Sequence, residues 1–145
     1  MHSESALPRG LRNHNPGNIR RSPGVRYRGE RIPSDDPDFR QFEAPEWGYR
    51  ALFVLLYTYG RRYGLRTPRQ LVTRWAPPAE NDTAGYVAAL CRRAELDPDA
   101  PLDLLDGSVM RPFAAAMSAV ENGRAADSGA VARGWELFFG DFGRK

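Results

Sequence analysis

The sequence predicts an α+β domain that is mainly α, with a small irregular β-sheet at the N-terminus followed by a helical lobe. Two observations lead to this class. The first 42 residues hold five prolines and four glycines, a density that forbids a long helix. From Pro45 onward, apolar residues recur at three- and four-residue spacing, the period of an amphipathic helix. The 145 residues suit a single domain, 1–145, and we expect residues 1–12 to form a flexible N-terminal segment.

Short extended runs lie between the turns of the N-terminal region, at residues 18–21, 25–28 and 38–42. Residues 25–28 alternate with period two, and Gly29 with Glu30 is a candidate hairpin turn. This pattern predicts a small antiparallel sheet.

Two helices are predicted directly after the sheet. The first has Pro45 in its first turn and ends at Gly64, a residue that commonly stops helices. The second has Thr67 as its N-cap and Pro68 at its first position, and it ends before the prolines at 77–78.

Three further helices complete the predicted lobe. One is capped by Asn81 or Asp82 and runs to about Ala94. The next spans residues 108–121 and stops at an Asn-Gly pair, and the last is capped by Ser128.

Composition excludes several classes of protein. The net charge is +3, and the basic residues are almost all arginines spread along the whole chain. This pattern indicates a solvated surface or a mild attraction to an anionic polymer. No helix-turn-helix or zinc-finger pattern is present, so we do not expect nucleic acid as a partner. Cys91 is the single cysteine and there are two histidines, so we expect no disulfide, no metal site and no cofactor.

No apolar run approaches the roughly 20 residues that span a bilayer, so we expect no membrane partner. The first ten residues have neither a charged start nor an apolar core, so we expect no secretory signal.

Three polar clusters are candidates for chemistry. Asn13, Asn15 and Asn18 surround a Pro-Gly turn, and their amides suit the hydroxyl and acetamide groups of a sugar. The alternative is a turn in which these asparagines satisfy their own backbone.

The second cluster is Trp75 with Asp82 and Tyr86. It is either a capped helix packed on a tryptophan, or a site in which Trp75 and Tyr86 lie against a sugar ring.

The third cluster centres on Glu121, in the last turn of a helix whose neighbouring residues are apolar. Apolar surroundings raise a carboxyl pKa and keep the group protonated, as a general acid for glycoside cleavage requires. The alternative is an exposed glutamate at a helix end. Asp35 and Asp36, in the sheet region, are candidates for a second carboxylate.

The motif Arg-Gly-x-Arg-Asn-x-Asn-Pro-Gly-Asn-Ile-Arg at residues 9–20 resembles the start of a family of small phage and prophage proteins. The resemblance continues through Phe-x-x-Pro-Glu-x-Gly-x-Arg-Ala at 42–51, Trp-Ala-Pro-Pro-x-Glu-Asn-Asp-Thr at 75–83 and Glu-Asn-Gly at 121–123. Such proteins are labelled phage structural proteins or lysozyme-like cell-wall hydrolases. The resemblance implies a lysozyme-like fold and bacterial peptidoglycan as the partner.

A looser resemblance links the chain to autolysin-type glucosaminidases and lytic transglycosylases. Their catalytic glutamate ends a helix that precedes the other motifs, whereas Glu121 follows them here. We infer a circularly permuted order of the same arrangement.

Together these features predict a muralytic glycosidase or lytic transglycosylase. Glu121 is the expected general acid, Tyr86 the residue that orients or stabilises the reacting centre, and the substrate-binding residues are Asn13, Asn15, Asn18, Trp75 and Asp82. The alternative is a virion protein that binds peptidoglycan without cleaving it. We expect a monomer that is made in the cytoplasm and reaches the wall through a holin, a virion or a secretion machine.

Overall fold

The computed structural model describes residues 7–143. Half of the N-terminal segment expected to be flexible, residues 1–6, lies outside the described residues, as do residues 144–145. Within the described half, the chain forms a short helix that the sequence did not predict. The elements in chain order are α1 (Arg9–Arg12), β1 (Glu30–Arg31), β2 (Gln41–Phe42), α2 (Pro45–Tyr63), α3 (Pro68–Trp75), α4 (Thr83–Ala94), α5 (Gly107–Asn122) and α6 (Ser128–Phe142).

The predicted class, α+β and mainly α, is confirmed by this order of elements. The sheet is a two-stranded antiparallel ribbon in which Glu30 lies opposite Phe42 and Arg31 opposite Gln41. An isolated antiparallel bridge between Arg20 and Phe39 extends the pairing toward the N-terminus. The sheet therefore lies before α2, as predicted.

The strand predicted at residues 25–28 is wrong, and so is the hairpin turn at Gly29-Glu30. The backbone N–H of Glu30 donates to the carbonyl of Tyr27 at 3.1 Å, so the chain turns there and β1 begins at Glu30. The carbonyl of Val25 accepts a hydrogen bond from the guanidinium of Arg40 at 3.0 Å. The Arg40 guanidinium thus makes the hydrogen bond to Val25 that a neighbouring strand would have made.

The predicted helix ends are largely confirmed, because their capping residues act locally. Helix α2 ends at Gly64, which adopts a left-handed conformation, and Thr67 forms a capping box with Gln70 at the start of α3. Asp82 caps α4 through the backbone N–H of Gly85. The predicted cap of the last helix is corrected: Asp127, one residue before Ser128, accepts from the backbone N–H groups of Gly129 and Ala130.

The core forms where α2 packs against α6 and α5. The largest fully buried side chains include Tyr49, Phe53, Phe113, Met117 and Phe138. The Tyr49 hydroxyl donates to Ser118 at 2.9 Å and so joins α2 to α5 inside the core. Helix α5 also packs against α4 and α1, so its C-terminal end is held between the helical lobe and the N-terminal region.

Within residues 7–143, no helix has both the length and the apolar character to cross a membrane.

Candidate functional site

Glu121 lies in the last turn of α5, immediately before Asn122 and the left-handed Gly123 that ends the helix. Its carboxylate accepts hydrogen bonds from two distant parts of the chain. Asn18 Nδ2 donates to Oε1 at 2.8 Å, and the Tyr86 hydroxyl donates to Oε2 at 3.0 Å. The structure therefore joins the N-terminal turn, α4 and α5 at one carboxyl group.

Burial raises the pKa of the Glu121 carboxyl above its ordinary value. The hydrogen bonds from Asn18 and Tyr86 act in the opposite direction, because they stabilise the charged carboxylate. Burial has the larger effect, so the net shift favours the protonated form. The pKa of Tyr86 is raised well above its ordinary value, mainly by burial and further by the charge of Glu121. Tyr86 thus remains a neutral hydroxyl donor.

Asn18 reaches Glu121 because its backbone is in the left-handed region, with φ of 52°. Asparagine tolerates this conformation better than most residues. The backbone N–H of Asn18 donates to the carbonyl of Asn15 at 3.0 Å and closes the turn around Pro16 and Gly17. The turn therefore directs the Asn18 side chain toward α5.

A second contact fixes this turn to α5. Asn122 Nδ2 donates to the carbonyl of Pro16 at 3.0 Å and to the carbonyl of Ser118 at 2.9 Å. A Cβ on Gly10 would lie 2.5 Å from Asn122 Oδ1 and 2.7 Å from Asn18 Oδ1, so any larger residue would displace these amides. Gly10 thus permits the close approach of both amides.

Asn13 and Asn15 do not share the position of Asn18. Asn15 is fully buried, and its amide donates to the carbonyls of Ile19 and Arg40 and accepts from the backbone N–H of Ile19. Asn13 donates to Asp36 at 3.0 Å and accepts from Gln41 at 3.0 Å. Both amides are used in holding the N-terminal region together.

Asp35 and Asp36, the candidates for a second carboxylate, lie away from Glu121. Asp36 is buried and pairs with Arg9 at 2.6 Å, and this guanidinium holds the pKa of the carboxyl well below its usual range. Asp35 is exposed, and its Oδ2 lies 3.4 Å from Nη2 of Arg31. Neither residue lines the cavity beside Glu121.

That cavity has a volume of about 560 Å³, within the range of small-ligand sites. Glu121 and Asn18 line it together with Trp75, whose indole N–H donates to the carbonyl of Gly17 at 3.0 Å. The remaining aromatic side chains of its wall are Tyr27, Phe39 and Tyr59. The cavity thus combines a half-buried acid with flat aromatic surfaces, a combination that suits sugar rings.

Four further charged side chains at the cavity were not singled out by the sequence. Arg20, Arg40 and Arg74 line it, and Glu80 is the carboxylate among the described residues that lines it with Glu121. Arg40 is buried in an ion pair with Glu30 at 2.7 Å, so its charge is compensated.

Glu80 belongs to the motif at 75–83, two positions before Asp82. Asp82 caps α4 and does not line the cavity. The motif at 75–83 was therefore the sequence signal that could have identified Glu80.

No protein-family model matches the chain. A curated relative, Protein P5 of Pseudoalteromonas phage PM2, is 43% identical over 81 residues. The match covers 54% of this chain and 51% of that protein. The chain is therefore similar to a phage protein over about half of each sequence.

Proposed function

We propose that this protein cleaves the glycan strand of bacterial peptidoglycan and has a lysozyme-like fold, with Glu121 as the general acid. The observation that carries the proposal is the position of Glu121: a half-buried carboxyl of raised pKa lines a cavity with aromatic walls. General acid catalysis requires a carboxyl that is protonated near working pH and can reach the substrate. Glycosidases commonly use such a group.

In the proposed reaction, Glu121 gives its proton to the glycosidic oxygen as the bond from that oxygen to the anomeric carbon breaks. The sugar becomes oxocarbenium-like, and Glu121 becomes a carboxylate. Asn18 and Tyr86 then stabilise that carboxylate through the hydrogen bonds that they already make. Each carboxylate oxygen has two lone pairs, so these bonds leave further acceptor positions for the substrate.

The attacking group decides between two outcomes. In a lytic transglycosylase, the 6-hydroxyl of the same muramoyl sugar attacks the anomeric carbon and returns a proton to Glu121. In a hydrolase, a second carboxylate activates water. Glu80 takes the place of Asp35 and Asp36 as the candidate for that role, because it lines the cavity.

The second candidate function is a virion protein that binds peptidoglycan without cleaving it. One observation favours it: both oxygens of Glu121 accept hydrogen bonds, as in a carboxylate that only holds two segments together. The permuted order of the motifs fits either function.

Incubation with purified sacculi tests the proposal, with release of soluble fragments as the measurement. The matched control for Glu121→Gln is Glu136→Gln, since Glu136 is exposed on α6 and does not line this cavity. We expect lysis by the wild type and by the control, and lysis at least about 100-fold slower by Glu121→Gln. Mass spectrometry then assigns the reaction, because anhydro ends indicate internal attack and reducing ends indicate water. Sedimentation with sacculi without release of fragments would favour the binding protein.

A further inference from the structure

A second cavity, of about 630 Å³, opens beside the one at Glu121. The two cavities share part of their walls, namely Tyr59, Arg74 and Pro77. The second is lined by Leu65 as well, with Gln70 and Thr73 as polar groups. A molecule bound at Glu121 can therefore extend past Arg74 into a neighbouring space without leaving the surface.

Arg74, at the shared wall, is held by aromatic rings rather than by a carboxylate. Its guanidinium carbon lies 3.9 Å from the ring centroid of Tyr63 and 5.2 Å from that of Tyr59. Within residues 7–143, no ion pair is formed by Arg74, whereas Arg69 in the same cavity pairs with Asp99 at 2.8 Å. Stacking limits the positions that the side chain can adopt. Less conformational entropy is therefore lost when an anion binds the guanidinium.

We propose that the second cavity binds the peptide that branches from the glycan, and that Arg74 pairs with a carboxylate of this peptide stem. This inference rests on the proposed function. Peptidoglycan differs from neutral polysaccharides because alternate sugars carry a short peptide with free carboxylates. A glycan that lies in the first cavity sends this branch outward. The adjoining cavity offers apolar contacts, two polar side chains and the guanidinium of Arg74, which forms no ion pair within residues 7–143. Arg74 is thus a specificity-determining residue.

Binding measurements on an inactive protein separate this inference from the chemistry of cleavage. The ligands are soluble glycan strands that carry their stems and the same strands after an amidase has removed the stems. The amidase leaves one lactyl carboxylate on each muramoyl sugar, so the two ligands differ in the peptide and its own carboxylates. The protein is Glu121→Gln, alone or combined with Arg74→Met, and calorimetry gives the Kd. Arg93→Met in the same background is the control, because Arg93 is an exposed arginine on α4 that lines neither cavity.

We expect Glu121→Gln to bind stem-bearing strands at least about tenfold more tightly than stem-free strands, as for one charge-assisted hydrogen bond. Arg74→Met removes most of that preference, and Arg93→Met retains it. Thr73→Trp, which fills the second cavity without touching the charge, also reduces the preference. Equal binding of both ligands by Glu121→Gln would overturn the inference, as would an equal loss for both ligands in Arg74→Met. A stem preference without lysis by the wild type would support stem recognition and contradict only the proposed cleavage.

Discussion

The side-chain amide of Asn18 donates a hydrogen bond of 2.8 Å to Oε1 of Glu121, across 103 positions of sequence. The bond links the turn at the N-terminus to the end of α5, and it acts on a carboxyl whose pKa burial has already raised. Donation to the carboxylate opposes the effect of burial. The pKa of Glu121 is therefore set by a balance that single substitutions can shift.

Asn18→Gly removes the donor while keeping the left-handed backbone that this position needs. Loss of a group that stabilises the charged form raises the pKa of Glu121 further. A general acid is active while protonated, so the alkaline limb of the pH–rate profile moves to higher pH. The rate at the optimum falls roughly tenfold or more, because the carboxyl is less well oriented.

The control for Asn18→Gly is His14→Gly, since His14 has the same φ of 52° and does not line the cavity. It reports the effect of a glycine at a left-handed position by itself. An unchanged alkaline limb in Asn18→Gly, with lysis intact, would contradict the assigned role of Asn18.

Tyr86→Phe removes the second donor to Glu121 and keeps the buried ring. The free energy of unfolding falls by about 1 kcal/mol, as for one lost hydrogen bond. The alkaline limb again moves to higher pH, because the carboxylate loses a stabilising partner. Tyr49→Phe removes a comparable buried hydroxyl that bonds to Ser118 instead. It is expected to lose similar stability with no shift of the pH–rate profile, and a similar shift in both variants would exclude a specific role for Tyr86.

Gly10→Ala introduces a methyl group into the space filled by the amide oxygens of Asn18 and Asn122. Overpacking of this kind costs about 1–3 kcal/mol, although alanine is otherwise the better helix former. Because Asn18 must move, lytic activity falls more than the loss of stability explains. Gly140→Ala, on α6, has nothing within 4 Å of the added carbon and is expected to stabilise the protein slightly. Thermal denaturation and lysis assays on both variants check this, and normal activity in Gly10→Ala would contradict it.

Asp36→Asn tests the structural role of that carboxylate. Its pKa is held low in the folded protein, mainly by Arg9, so its ionised form stabilises the fold at pH values above the pKa of the unfolded chain. That contribution is lost as the pH falls below about 4. Asp36→Asn therefore lowers the Tm at pH 7, and the difference from the wild type shrinks toward pH 3. A difference that is constant with pH would contradict this account.

The helical lobe was predictable because its signals are local. Proline at a first helical position, Thr67 and Asp82 as caps, and glycine after a last turn act within one helical turn of their own position. The four-residue helix α1 carries no side-chain cap, and the sequence gives no comparable signal for it. Residues 25–28 have the alternation of a strand, but a guanidinium from residue 40 takes the backbone carbonyl that pairing would need.

The site was predictable in part. The sequence pointed to Asn18 through an asparagine-rich turn, and to Tyr86 and Glu121 through polar motifs at helix ends. The structure brings these three side chains together. Asn13 and Asn15 look like Asn18 in the sequence, yet their amides bond within the N-terminal region, that of Asn13 to Asp36 and that of Asn15 to Ile19 and Arg40. Their role depends on tertiary contacts that no local pattern encodes. The same holds for Glu80 and Arg74, which the fold brings to the cavity wall.

The release of soluble fragments from purified sacculi by Glu121→Gln, measured beside the wild type and Glu136→Gln, tests the central claim most directly. Glutamine keeps the shape of the side chain and its bond to Asn18 but has no acidic proton to transfer. General acid catalysis is worth roughly 10²–10⁴-fold, so we expect the rate to fall by at least the lower of these factors. The Tm should change little, and Glu136→Gln should lyse sacculi at the wild-type rate. Lysis by a folded Glu121→Gln protein at the wild-type rate would contradict the assignment of Glu121 as the general acid.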